Sequence, residues 1–297
     1  MPLTPGMAAT AEITTDRPMV KDMKNTLRVL MVILCALLAP ASIGLAATVN
    51  SKTLSASVGG VTIPIYLYKP DGKGPFPLVI LSHGSPRLPG GRLSYGPRTL
   101  REQALALVAS GAAVAVVIRR GYGGNGKWVE GYKSDCSRPN YHDAGLVSAQ
   151  DIDAALEILA REPDIDRARV VLVGHSAGAF ASVAAATREK ILGVVSFAAG
   201  RGSLEPDKVA CEDKLVEAMQ DYGRATRVPE LWIYSQNDHF FGPRLANELR
   251  DAFVKAGGKA TLISAPPYKA EGHGYIFNIA GWKPDVDAFL KRIGFFP

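Results

Sequence analysis

Apolar residues change their spacing as the chain proceeds. Two alternating runs, 52–58 and 61–68, meet at Gly59-Gly60, where residues without a Cβ accept the positive φ of a tight turn, so they predict an antiparallel hairpin. Beyond it come near-continuous apolar runs at 76–82, 113–118, 170–173, 193–198, 230–235 and 260–264, the texture of strands buried on both faces. Helical spacing lies between them. Leu146, Ala149, Ile152, Leu156 and Leu159 share one face, with Asp143 expected as N-cap and Pro163 just past the end. A second helix is expected over 243–256, stopping at Gly257-Gly258. Alternation of this kind predicts an α/β architecture: a mostly parallel twisted sheet with helices on both faces and the antiparallel N-terminal hairpin at one edge.

Two connections are longer than chain reversal needs, 119–142 and 200–228, the latter with a short helix expected near 207–222. Long loops in compact domains usually carry function, and both follow the carboxyl end of a strand, where open α/β sheets bind ligands. They are read as small lid loops, bearing Trp128 or Tyr132, on one domain spanning 48–297.

Residues 1–47 read differently. Lys21, Lys24 and Arg28 precede an apolar run over 29–39 and a small-residue stretch ending near Ala46 or Ala47, which is the layout of a secretory signal peptide. The run is shorter than the roughly 20 residues that span a bilayer, so export to the periplasm or medium is expected rather than a stable membrane anchor. Met23 followed by Lys24 would itself begin a well-formed signal. An oxidising destination bears on Cys136 and Cys211, the two cysteines outside this segment, which form either one disulfide between the long loops or two buried thiols.

Composition narrows the partners. The chain is 47% hydrophobic and 21% charged, enough to build a core, with net charge +6, or +5 without residues 1–47. The basic side chains are scattered, without a cluster of five or an interleaved aromatic platform, so no nucleic-acid partner is expected.

The sharpest chemical signal is Val-Val-Leu-Val-Gly174-His175-Ser176-Ala177-Gly178 followed by an alanine-rich helix. Strand, sharp turn and helix in that order hold a serine on a strained backbone with its Oγ exposed. A serine hydroxyl needs a base, and the base an acid to fix its tautomer. Of five histidines only His273 follows the last strand in a glycine-flanked loop, with His239 the second choice. Asp238, just past an apolar strand, is the expected acid, with Glu271 as rival. The oxyanion would be met by the N–H groups of Ala177 and of Ser85, the latter in the loop His83-Gly84-Ser85. Gly121-Tyr-Gly123-Gly-Asn-Gly126 matches a dinucleotide pattern, but Trp128, Gly131 and Pro139 deny it the helix whose N-terminus would hold a pyrophosphate. The histidines show no metal-ligand spacing, so neither cofactor nor metal is expected.

Ser82-His-Gly84, Arg120-Gly-Tyr-Gly123, Gly174-His-Ser-Ala-Gly178, Asp238 and His273 together resemble the dienelactone hydrolase-like branch of the α/β-hydrolase superfamily over roughly 60–295. That branch shades into the prolyl oligopeptidase-like serine peptidases. The resemblance implies the α/β-hydrolase fold, the chain order Ser, Asp, His, and hydrolysis of a small or medium ester through an acyl-enzyme. Dienelactone hydrolases carry cysteine at the elbow where this chain has Ser176, which favours a general carboxylic esterase. The alternative is a peptidase acting on short peptides. A noncatalytic binding protein on the same fold is a third reading, against which the intact Ser, Asp and His speak.

Overall fold

The computed structural model describes residues 49–131, 136–138, 140–187 and 190–296. The expected signal peptide and Tyr132 lie outside the described residues. Strands β1 (Asn50–Val58) and β2 (Val61–Lys69) form the antiparallel hairpin, turning at Gly59 (φ 56°) and Gly60 (φ 78°). Then follow β3 (Phe76–Ser82), β4 (Ala113–Val117), β5 (Ile165–His175), β6 (Gly193–Phe197), β9 (Pro229–Ser235) and β10 (Lys259–Ala265), all mutually parallel. The eight strands lie in the order β1-β2-β4-β3-β5-β6-β9-β10, with β2 antiparallel to β4.

The continuous apolar runs exist because both faces of the sheet are covered. Along β3, Leu78 and Ile80 face one side while Val79 and Leu81 face the other, all essentially buried. The first side packs α2 (Tyr141–Leu159), α3 (Ala177–Ala185), α4 (Glu212–Ala225) and α5 (Pro243–Lys255). The second packs α1 (Arg101–Val108) and α6 (Ile279–Arg292). The alanines of α3 let it lie close to the sheet, buried along its whole length.

Two expectations are corrected. Helix α2 begins at Tyr141, so Asn140 holds the N-cap position and Asp143 lies in the first turn, where its carboxylate meets the positive helix end. The helix expected from residue 207 begins instead at Glu212, because Asp207 and Cys211 take positive φ (58° and 46°). A small antiparallel pair, β7 (Ser203–Glu205) and β8 (Lys208–Val209), fills the preceding stretch.

Chain order reverses at β3: β4 lies on one side of it and β5 on the other. The connections leaving β3 and β5 therefore part at this point and open a crevice at the carboxyl edge. The two long loops rise over the same edge and are joined by a Cys136–Cys211 disulfide.

Candidate active site

Ser176 sits between the end of β5 and the start of α3, with φ 55° and ψ −122°. Such a conformation in a residue with a Cβ costs about 1–3 kcal/mol and persists only where neighbours enforce it. The neighbours here are backbones. A methyl on Gly174 would lie 2.5 Å from the Cα of Ala179, and one on Gly178 2.3 Å from the carbonyl oxygens of Ser82 and His83. The Ser176 N–H donates to Phe197 O at 2.8 Å, and its carbonyl accepts from Phe180 N at 3.0 Å, tying the turn to β6 and to α3. Ala177 is the first residue of α3, so its N–H has no partner within the helix. The loop carrying Ser85 passes close: the Cβ position of Gly84 is 3.2 Å from Ser176 Cβ. Ser85, Ser176 and Ala177 line one cavity of about 400 Å³.

His273 lies in a short 3-10 turn after β10, and its Nδ1 is 3.1 Å from Asp238 Oδ2. Asp238 follows β9 and is 1% exposed; its other oxygen accepts the N–H groups of Phe240 (2.7 Å) and Phe241 (3.0 Å). Burial alone would raise this carboxyl, but the His273 hydrogen bond and charge, with the two N–H donors, hold it below its ordinary value. It is an anion facing Nδ1, which fixes the proton there and leaves Nε2 to accept. Glu271, the rival acid, is occupied otherwise: its Oε1 accepts the backbone N–H groups of His273 and His239, both at 3.0 Å.

His239, the second choice as base, is exposed and pairs through Nδ1 with Asp207 at 3.0 Å. His83 is buried with Nδ1 donating to Gly84 O (2.7 Å) and Nε2 accepting from Arg119 N (3.2 Å); burial and Arg119 push it well below its ordinary value, so it serves as a neutral strut. His175 is held down to about 3 by burial and by His273, and its Nε2 donates to His273 O at 2.9 Å. Ser176 is thus chained through its neighbour His175 to the His273 loop. Among the hydrogen bonds of the described residues none joins Ser176 Oγ to His273. His273 lines a second cavity, about 330 Å³, that shares Ser85, Pro86 and Phe240 with the first. Phe240 stacks on the His273 ring with centroids 4.0 Å apart.

Sequence reasoning missed a buried ionic cluster under the site. Glu130, fully buried, takes Arg119 Nε and Nη2 on its two oxygens, Tyr122 OH at 2.9 Å, and Arg201 Nη1 and Nη2 at 3.4 Å. Burial alone would raise Glu130, but the two guanidiniums bring it down to about 2. Arg119 also donates to Ser82 Oγ (2.8 Å) and His83 O (2.5 Å), fixing the loop that carries Ser85. No spacing rule links residues 119, 130 and 201; only the charged side chains flanking apolar strand ends hinted at them. The Gly121–Gly126 stretch forms turns against Trp128 and Tyr95, not a helix start. Among the described residues no group of His, Cys, Asp and Glu could hold a metal.

The alpha/beta hydrolase family model matches residues 79–293. No match was found among curated proteins. Similar solved structures include a protein assigned as a dienelactone hydrolase from Klebsiella pneumoniae, 16% identical with TM-score 0.59, over 84% of this chain and 100% of that one. An esterase from Pyrococcus furiosus is 16% identical with TM-score 0.58, over 82% and 93%. The Pyrococcus horikoshii acylaminoacyl peptidase is 17% identical with TM-score 0.62, over 82% of this chain but only 41% of the peptidase. At these identities the likeness is one of fold.

Proposed function

The chain belongs to the alpha/beta hydrolase family, and from that premise we propose that it is a serine hydrolase cleaving carboxylic esters of small to medium size. In this reading Ser176 is the nucleophile, His273 the base, Asp238 its orienting acid, and the N–H groups of Ser85 and Ala177 the oxyanion donors. One observation carries it: a serine held at φ 55° on a strand-to-helix turn, whose neighbour His175 hydrogen-bonds the carbonyl of a histidine with Nδ1 3.1 Å from a buried aspartate.

The steps follow from the groups. His273 Nε2 takes the Ser176 proton as Oγ bonds the ester carbonyl carbon. The oxygen that gains charge is met by preorganised N–H donors. His273 then protonates the departing alkoxide, leaving an acyl-serine. Water, deprotonated by the same imidazole, attacks the acyl carbon, and the acyl C–Oγ bond breaks as His273 returns the proton to Ser176 Oγ, releasing the acid and restoring the free serine. The buried Asp238 anion stabilises the imidazolium at both stages. The reading includes export: structural disulfides such as Cys136–Cys211 persist in oxidising compartments, and among the described residues no helix is long and apolar enough to cross a membrane.

A fluorophosphonate probe tests the nucleophile: it is expected to label the wild-type chain and not Ser176→Ala. On p-nitrophenyl esters of rising acyl length the same substitution is expected to lower kcat by at least about 10³-fold. Unlabelled protein, or ester hydrolysis retained in Ser176→Ala, would overturn the assignment. Faster cleavage of a peptide anilide than of any ester would replace ester by amide as the substrate bond.

A further inference from the structure

Two cavities meet at the candidate site, and their walls differ in chemistry. The one holding Ser176 and Ala177 is lined by three arginines, Arg87, Arg92 and Arg201, and by no aspartate or glutamate among the described residues. The one holding His273 is lined by Tyr95, Leu100, Phe240 and Phe277, with Arg98 only at its exposed edge.

Arg201 is 5% exposed. Its Nη1 donates to Glu130 O and its Nη2 to Ser148 Oγ, both at 2.9 Å, while Nε has no partner among the described residues. Its ion-pair partner Glu130 is shared with Arg119. Two buried guanidiniums therefore face one carboxylate, and a positive charge is left uncompensated at the cavity wall, a costly state away from water. At the cavity mouth, Arg87 donates to Ser203 Oγ and His239 O and lies 3.4 Å over the Phe240 ring; Arg92 lies 4.3 Å over Trp128. Neither is ion-paired among the described residues. Three cations thus converge on one cavity, two of them without an ion pair among the described residues and the third sharing its single carboxylate with Arg119.

Proton traffic orients a substrate between the cavities. The departing alcohol oxygen must receive its proton from His273, so the alcohol lies on the apolar, aromatic side and the acyl chain extends among the arginines. We propose that the cavity beside Ser176 is an anion subsite with Arg201 as its specificity-determining residue, and that the preferred substrates are half-esters: a short dicarboxylic acyl group with its far carboxylate free, esterified to an apolar alcohol. This rests on the ester-hydrolase reading above. The reaction forms a Ser176 Oγ–acyl bond as the C–OR bond breaks, and water then releases the dicarboxylate.

The test compares two esters of equal chain length, mono-p-nitrophenyl glutarate and p-nitrophenyl pentanoate. The wild-type chain is expected to show a kcat/KM at least about tenfold higher for the glutarate, and Arg201→Met to bring the ratio to one or below. Reading the ratio within each variant cancels a general loss of activity. Glutarate is further expected to inhibit pentanoate hydrolysis competitively, and glutaramide to inhibit far less; this readout decides should Arg201→Met not fold. A wild-type preference for pentanoate, a ratio unchanged in Arg201→Met, or equal inhibition by glutarate and glutaramide would overturn the subsite. Failure to cleave either ester would instead overturn the hydrolase reading.

Discussion

Asp238 gives its two oxygens separate work, one to the imidazole of His273 and one to two backbone N–H groups of its own loop. Asp238→Asn keeps the shape and removes the charge, and kcat/KM on p-nitrophenyl butyrate is expected to fall about 10²–10⁴-fold with little change in Tm. Glu271→Gln retains an acceptor for the two N–H groups it serves and is expected to cost less than about tenfold; equal losses in the two variants would remove Asp238 from its assigned role. The placement of Ser176, Asp238 and His273 was legible because each follows an apolar run that ends at the same edge of the sheet, and the Asp238–His273 contact was anticipated by the need of a base for an orienting acid. Arg119, Glu130 and Arg201 were not legible: they meet only after α2 and β6 are in place, and nothing in their sequence separation encodes the meeting.

Seven of the eight strands of the main sheet were legible to within two residues, since a strand covered on both faces must be apolar throughout; β5 runs from 165 to 175, well past its apolar core at 170–173, because its first half is polar and partly exposed. The helices that escaped notice have physical excuses. Helix α1 spans only eight residues, barely two turns of periodicity, and α6 contains Pro284, ordinarily a sign that a helix has ended. The hairpin of β7 and β8 replaced expected helix because two non-glycine residues adopt positive φ there, which no hydropathy pattern announces. At the junction of β5 with α3 the constraint is backbone against backbone. Gly178→Ala would place a methyl 2.3 Å from two carbonyl oxygens that belong to the chain rather than to movable side chains. It is expected to destabilise the fold by about 3 kcal/mol or more and to lower Tm by roughly 10 °C in a thermal melt; an unchanged Tm would refute this packing.

Stability of the entire protein should carry the mark of one buried acid far from the crevice. Glu230, at the start of β9, is 1% exposed; one oxygen accepts from Trp232 Nε1 at 2.6 Å and the other has no partner among the described residues. Burial pushes its carboxyl up to about 8, against an ordinary 4.5. A group whose folded value is raised binds its proton more tightly in the folded chain, so its contribution is fully present below about 4.5 and is lost as pH rises through 8, a loss of a few kcal/mol. Replacing it by Gln removes the titration. The Tm of Glu230→Gln relative to wild type is therefore expected to climb steadily between pH 5 and pH 8 and then level off; a pH-independent difference would show that the carboxyl titrates normally.

The collision that forbids a methyl at Gly174 and Gly178 also bears on how this protein could be re-tooled. A serine whose placement depends on two main chains touching is insulated from changes in the side chains around the crevice. A directed-evolution library that randomises positions 87, 92, 204 and 277 while leaving 174–178 untouched would vary what enters the crevice and leave the machinery in register.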